Sequence, residues 1–276
     1  MTATTQELPE LAEGPFFYED LGNHRYRSTI HAQGAWNPHE QHMAVATGII
    51  AHELEAFQPR DDMRMARISL DILGIIHGGE FEIQTRMIRP GKTIELIEAE
   101  MVSQGRTAII ARAWRLKTGD STPVAALEDD HVEHPEYLPP HEGLTMWPGG
   151  YIQSLEFRQE KDHRPGKGIV WLRNPYKMVS TDTKTDDMVR LLGMVDTANG
   201  VAPRVAPGPD SWMFPNVDLQ IHMYRRPAGE WLGLEVKQQY GTDGIGLTSA
   251  ILHDVHGPFG RSQQILTVRP MPKPVS

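Results

Sequence analysis

The 276-residue chain contains no cysteine. This absence excludes disulfide bonds, thiolate metal sites and a cysteine nucleophile. The chain also lacks any apolar run near the roughly 20 residues that a membrane-spanning helix needs. Its first residues, MTATTQELPELAEG, have neither the basic region nor the apolar core of a signal peptide. We therefore expect a cytoplasmic protein without a membrane partner.

Positive charge is scarce, with 27 Lys and Arg against 36 Asp and Glu and a formal net charge of −9. A nucleic-acid partner would require a basic face, so this balance argues against one. The composition, 39% hydrophobic and 23% charged, is that of an ordinary globular protein. The length favours two domains.

Three catalytic motifs are also missing. No Gly-x-Ser-x-Gly elbow occurs, which argues against an α/β serine hydrolase. The segment GTDGIG (241–246) has neither the glycine spacing nor the following helix of a dinucleotide-binding loop. The zinc motif His-Glu-x-x-His is also absent, because HEQHM (39–43) and HELEA (52–56) both lack its second histidine. We therefore expect no metal and no other cofactor, and water remains available as a nucleophile.

An internal repeat organises what is present. Residues 66–115 and 215–269 each predict a meander of antiparallel strands joined by turns that contain Gly or Pro. Each meander follows a segment with helical periodicity, at 39–57 and at 186–200. Both segments are apolar enough for a sheet to wrap around them.

Details within these segments predict how the helices begin, end and pack. Pro38 suits a first-turn position, and Gly200 suits a helix end. Gly48 and Gly193, in mid-helix, predict close approach to strands. The Pro-, Gly- and acid-rich stretch 117–150 predicts a surface linker.

The strand FPNVDLQIHMYRRP (214–227) alternates between an apolar and a polar face. Asp218, Gln220, His222 and Tyr224 form the polar face. Alternation alone does not distinguish a solvent-facing surface from the wall of a site. Because this face carries a carboxylate, an amide, an imidazole and a phenol, we interpret it as the wall of an active site.

The residues also carry a resemblance to a known family. The segments VDTANG, FPNVDLQIHMYRRPAGEWLGLEV, GTDGIGLTSAILHD and GRSQQILTV, together with GAWNPHEQHMA and FEIQTRMIRPGKTIELIEAEM, resemble the acyl-CoA thioesterase II family. The resemblance implies an α+β double hotdog: an N-terminal hotdog at 1–116, a linker at 117–150 and a C-terminal hotdog at 151–276. It also implies a homo-oligomer that hydrolyses acyl-CoA, a substrate of fatty acid metabolism, with water and without a covalent intermediate.

Three catalytic residues are implied by position in the family motifs. The water-activating Asp falls on Asp218, the assisting Gln on Gln264, and the assisting Thr on Gln239, where this chain departs from the family. A second departure follows His42, where Met43 and Ala44 replace the Gly-Gly that is usual in this branch. This loop would shape entry of the acyl chain.

Four further residues are expected to contact substrate: Asp196, Asn199, His222 and His42. Asp196 lies four residues after Leu192, on or beside the apolar stripe of its helix. A carboxylate there is either functional or a structural anchor, and the resemblance makes it part of the site wall. His222 shares a strand face with Asp218 and could act as a second base.

Two other functions remain open on the sequence. GAWNPHEQH is close to a motif of hotdog hydratases, but Ala35 occupies the position of the hydratase Asp. Alternatively, the chain binds an acyl ligand without turnover. An exposed Asp218 that Gln264 does not reach would favour such a binding protein.

Overall fold

The computed structural model describes residues 8–142, 144, 146–208 and 210–272. Within them, thirteen strands form one sheet and two short strands form a second. The strands are β1 (Phe16–Gly22), β2 (Arg25–Ser28), β3 (Met63–Ile72), β4 (Glu80–Arg89), β5 (Ile94–Ser103), β6 (Arg106–Lys117), β7 (Glu156–Gln159), β8 (Lys167–Arg173), β9 (Lys177–Val179), β10 (Trp212–Met213), β11 (Asp218–Met223), β12 (Trp231–Tyr240), β13 (Ile245–Asp254), β14 (Gly257–Thr267) and β15 (Arg269–Pro270). The helices are α1 (Met43–Ala56), α2 (Gly150–Gln153), α3 (Asp187–Leu192) and α4 (Ala198–Val201).

The large sheet has a two-fold arrangement. Its order is β7-β8-β12-β13-β14-β11-β3-β6-β5-β4-β2-β1-β9. The first strands of the two meanders, β3 and β11, pair antiparallel at the centre, with Asp71 opposite Asp218. Each meander curves around its own helix, which confirms the predicted α+β double hotdog. At one edge β9 pairs parallel with β1, so the predicted units 1–116 and 151–276 share a strand contact there.

Helix α1 begins four residues later than predicted. His42 caps it, because its Nδ1 accepts a hydrogen bond from the Ala44 amide at 3.1 Å. Pro38 therefore lies outside the helix, and its predicted first-turn position is wrong. Eleven of the fourteen helical residues are buried, so the expectation that strands wrap this helix is confirmed.

The second predicted helix, 186–200, is broken after Leu192. Met194 and Thr197 donate to carbonyls three residues back, and residues 195–197 form a 3₁₀ turn that carries Asp196. The predicted glycines do permit close approach to a strand, at Met178 of β9, and they also let the two helices approach each other. A Cβ on Gly48 would lie 3.0 Å from the Gly193 Cα and 2.3 Å from the Met178 Cε. Gly200 is not the helix end, because α4 continues through Val201.

The end of the predicted linker is not a surface segment. Leu138, Leu144 and Trp147 are buried, whereas residues 118–128 are exposed. Gly150 packs directly on the first half of the chain, where an added Cβ would lie 1.9 Å from the Ile30 carbonyl oxygen. The linker thus ends as part of the core.

No helix among the described residues combines the length and apolarity that crossing a bilayer requires.

We predict that Gly150→Ala lowers the free energy of unfolding by about 2 kcal/mol or more, because the new methyl group overlaps a backbone oxygen. Gly119→Ala is the control, since no heavy atom lies within 4 Å of its added Cβ, and it should change stability by less than about 0.5 kcal/mol. Urea unfolding followed by circular dichroism measures both. Equal midpoints for the two variants would contradict the tight docking of this segment.

Candidate active site

Asp196 is a buried carboxylate, 5% exposed, at the place where the two halves of the chain meet. Its Oδ1 accepts hydrogen bonds from the Asn216 Nδ2 at 2.8 Å and the Gln264 Nε2 at 2.7 Å. Its Oδ2 lies 3.6 Å from the His42 Nδ1 and receives no hydrogen bond from the residues that the structure describes. One oxygen is therefore held in place, and the other is free to accept a proton.

The surroundings of Asp196 tune its acidity. Burial raises the pKa of Asp196 to about 6, and the hydrogen bonds from Asn216 and Gln264 oppose this rise because they stabilise the charged form. Above this pH the carboxylate is ionised and can act as a base. A general base works best when its pKa lies close to the working pH.

His42 contacts this carboxylate as a neutral ring. Its Nδ1 accepts from the Ala44 amide, so the ring proton of the neutral form lies on Nε2. Burial lowers the pKa of His42 to about 3, which keeps the ring uncharged at neutral pH. The separation of 3.6 Å is thus a contact between two acceptors rather than an ion pair. The Tyr151 ring packs on His42 at a centroid distance of 4.3 Å.

A network of buried polar side chains lies close to Asp196. The Gln238 Nε2 donates to the Asn199 Oδ1 at 3.1 Å and to the Thr248 Oγ1 at 3.2 Å. The Thr248 hydroxyl in turn donates to Asn199, and the Asn199 Nδ2 donates to the Phe214 carbonyl at 2.9 Å. Because every member is hydrogen-bonded, this network fixes the wall of the site. Asn199 is thus brought beside Asp196, as expected.

Asp218 does not belong to this cluster. Leu219 and Ile221 point into the core, so the polar face of β11 is the outer face of the sheet. The Asp218 Oδ1 accepts from the Ile265 amide at 2.7 Å, which makes the half-buried Asp218 an anchor between β11 and β14. Gln264 points to the opposite face and bonds Asp196 instead. The interpretation of this polar face as a site wall is wrong.

Gln239 and His222 are also placed outside the cluster. Gln239 is exposed, while its neighbour Gln238 points inward and is buried. Neighbouring residues of a strand point to opposite faces of the sheet, so Gln238 and not Gln239 faces the cluster. His222 is exposed on the outer face, opposite Arg67 of β3.

Several site residues were missed in the sequence: Asn216, Gln238, Thr248, Trp36 and Trp147. Asn216 lies two residues before Asp218, near the start of the predicted alternation. The alternation does not distinguish Asn216 as a site residue. The alternation of β12 does place Gln238 on the face of the buried Leu234 and Val236. That signal could have distinguished Gln238 from Gln239.

Two cavities meet at Asp196. The inner cavity has a volume of about 50 Å³, and aromatic, aliphatic and hydrogen-bonding side chains share its lining. The outer groove is larger, with a volume of about 480 Å³, and reaches Arg269. The two share Ala35, Trp36, His42, Asp196 and Asn216. The Asp196 carboxylate therefore lies at the junction between a small inner cavity and a larger groove.

Two protein-family models match this chain. The model of the acyl-CoA thioesterase C-terminal domain matches residues 129–268, and that of the acyl-CoA thioesterase N-terminal domain matches residues 32–116. The chain belongs to the acyl-CoA thioesterase family and is a thioesterase enzyme, as the sequence motifs predicted. None of the curated proteins matches it.

Solved structures share the fold at low sequence identity. A hot dog fold protein of unknown function from Alicyclobacillus acidocaldarius is 11% identical, with a TM-score of 0.71 over 93% of this chain and 96% of that one. The tesB protein of Mycobacterium avium is 14% identical, with a TM-score of 0.62 over 92% and 96%. An acyl-CoA thioesterase II from Mycobacterium marinum is 15% identical, with a TM-score of 0.61 over 95% and 98%. These likenesses support the double hotdog fold.

We predict that Asp196→Asn stabilises the protein at pH 8. Because the pKa of Asp196 is higher in the folded state than in the unfolded chain, the ionised carboxylate destabilises the fold above about pH 6. Removing that charge should raise the free energy of unfolding by about 2 kcal/mol at pH 8, and the gain should vanish towards pH 4. Denaturant titrations at both pH values measure the effect.

Asp218→Asn is the matched control, because Asp218 lies on the outer face and its substitution keeps an oxygen acceptor for Ile265. It should show no gain that grows between pH 4 and pH 8. An Asp196→Asn variant with the same stability deficit at both pH values would show that the carboxylate is only a structural anchor.

Proposed function

We propose that this chain hydrolyses acyl-CoA thioesters by direct attack of a water molecule that Asp196 activates. The observation that carries the proposal is the asymmetry of the Asp196 carboxylate. Its Oδ1 is held by Asn216 and Gln264, while its Oδ2 lies free at the junction of the two cavities. A water at this junction would be within reach of both the base and a thioester carbonyl.

The reaction needs one proton acceptor, which later returns its proton. As water attacks the carbonyl carbon, one of its protons passes to the Asp196 Oδ2, and a new C–O bond forms. The tetrahedral intermediate then collapses, the C–S bond breaks, and the coenzyme A thiolate takes the proton from Asp196. The products are the free acid and coenzyme A, and the carboxylate is regenerated.

The developing oxyanion is expected to lie at the N-terminus of α1. This helix begins at Met43, which lines the outer groove, and first-turn amides of a helix have no acceptor within the helix. Their N–H groups and the helix dipole favour negative charge at this position. The amides of His42 and Ala44 are bonded to the Ala32 carbonyl and the His42 ring, so the amide of Met43 would serve in place of the usual glycines.

In this proposal, the role of base that was expected of Asp218 belongs to Asp196. Gln264 keeps its assisting role, as a positioning residue that orients the carboxylate. Gln238 takes the place expected of Gln239, and acts through Asn199 rather than on the water. His42 lines both cavities and separates Asp196 from the start of α1.

The two alternatives are less well supported. The sequence favoured a binding protein if Asp218 were exposed and Gln264 did not reach it. Asp218 is half-buried and Gln264 does not reach it, but Gln264 bonds a second carboxylate, Asp196, at 2.7 Å. A hydratase based on His42 would require a ring nitrogen that can accept a proton, but Nδ1 already accepts from Ala44 and Nε2 carries the ring proton. The cytoplasmic location, the link to fatty acid metabolism and the homo-oligomer remain predictions from the sequence.

We predict that Asp196→Asn lowers kcat by about 10²- to 10⁴-fold, the usual contribution of a general base. Release of coenzyme A from an acyl-CoA panel, followed with a thiol-reactive dye, measures this, and the protein has no cysteine to add background. Asp218→Asn should keep kcat within about twofold of wild type. A collapse in Asp218→Asn with an intact Asp196→Asn would overturn the assignment.

We also predict that Gln264→Met moves the acid limb of the pH–rate profile to higher pH. In wild type this limb should fall near pH 6, and loss of the amide donor removes a hydrogen bond that stabilises the ionised Asp196. Gln263→Met, on the same strand but on the outer face, should leave the profile in place. If both variants share the wild-type profile, Gln264 does not position the base.

A further inference from the structure

Three aromatic rings form a corner in the inner cavity. The rings of Trp36 and Trp147 lie 5.1 Å apart at 71°, and Phe214 lies 5.9 Å from each of them at 89° and 82°. The three rings are thus nearly perpendicular to one another and meet edge to face. We call this set of Trp36, Trp147 and Phe214 the aromatic corner, and it lines the same cavity as Asp196.

Trp147 and Phe214 line the inner cavity but not the groove, whereas Trp36, which is 39% exposed, lines both. Trp147 and Phe214 are 5% and 1% exposed, and the Trp147 Nε1 donates to the Gly200 carbonyl at 3.2 Å, which fixes the ring. The Tyr240 ring lies behind Phe214 at 5.8 Å. Since protein interiors are packed at high density, a long chain could extend further only by displacing these rings.

The lining of the inner cavity also selects by charge. Asp196 is the only Asp, Glu, Lys or Arg among the described residues that line it, so an acyl group with a second carboxylate would meet like charge. The remaining walls are aromatic or aliphatic apart from a few hydrogen-bonding groups. Aromatic walls favour a ring through edge-to-face contacts, beyond the area that the ring buries.

The outer groove is the better place for the coenzyme. It is the larger of the two cavities, and its lining includes Arg269, a cation that suits the phosphates of coenzyme A, as well as the carboxyl group of Glu40. If the coenzyme occupies the groove and the thioester lies at Asp196, the acyl group must extend into the inner cavity. Because Trp147 and Phe214 line only the inner cavity, they would meet the acyl end of the substrate rather than the coenzyme.

From these observations we infer that the substrate carries a compact, uncharged aromatic acyl group, and that Trp147 limits acyl length. This inference rests on the proposed function, because it takes Asp196 as the position of the thioester. Trp147 belongs to the predicted linker, so the segment that joins the two hotdogs would also determine specificity. Long linear acyl groups would be poor substrates.

The test compares kcat/KM for phenylacetyl-CoA, octanoyl-CoA and palmitoyl-CoA, the first two of which have equal carbon counts. Wild type should prefer phenylacetyl-CoA to octanoyl-CoA by about tenfold and should disfavour palmitoyl-CoA still more. Trp147→Ala should lose this preference and gain rate on the longer chains. Trp212→Ala, which removes a half-exposed indole of β10, should keep the wild-type order.

A second variant, Trp147→Phe, controls for the possibility that Trp147→Ala does not fold. Trp147→Phe keeps a ring in the corner but loses the hydrogen bond to Gly200, and it should retain the preference for phenylacetyl-CoA. Two results would overturn this inference alone. One is equal turnover of palmitoyl-CoA and phenylacetyl-CoA by wild type, and the other is a folded Trp147→Ala with the same order of substrate preference as wild type. Failure to release coenzyme A from any thioester, or release that persists in Asp196→Asn, would instead overturn the proposed function.

Discussion

The two central helices touch at a pair of glycines, and the site depends on this contact. Any side chain on Gly48 would collide with Met178 and crowd the Gly193 backbone. Because α1 and α3 come this close, the sheet wraps both helices in one continuous core. The crossing also brings the capped start of α1 next to the 3₁₀ turn that follows α3, so His42 of one half faces Asp196 of the other. The site exists only where the halves join.

Burial of Asp196 is costly for the fold and useful for the chemistry. A buried carboxylate must be hydrogen-bonded or it will be protonated. Asn216 and Gln264 meet this need at one oxygen only, and burial still holds the pKa of the carboxyl group at about 6, in the range of a working base. The neutral network behind it adds rigidity without adding a counter-charge that would weaken the base. Such opposition between stability and activity is common at functional sites.

Much of the fold could be predicted from the sequence, because it follows local periodicities: two apolar helical segments, two meanders and the turns between them. The site was harder to predict, since its contacts join residues far apart in the chain. Alternation in β11 correctly separated two faces, but the hydrogen-bonding character of Asp218 does not reveal which face is inside. Asp196 stood out as a carboxylate on an apolar stripe. Trp147 could not be predicted as a site residue, because the sequence around it has the composition of a linker.

In the proposed reaction, water attacks the thioester directly and Asp196 only accepts a proton. A single turnover in H₂¹⁸O, with enzyme in excess over acyl-CoA, tests it by mass spectrometry of the acid and of the Asp196 peptide. Direct attack predicts one ¹⁸O in the acid after the first turnover and none in Asp196. An unlabelled acid with ¹⁸O in the Asp196 carboxylate would reveal an acyl-enzyme anhydride and contradict the account.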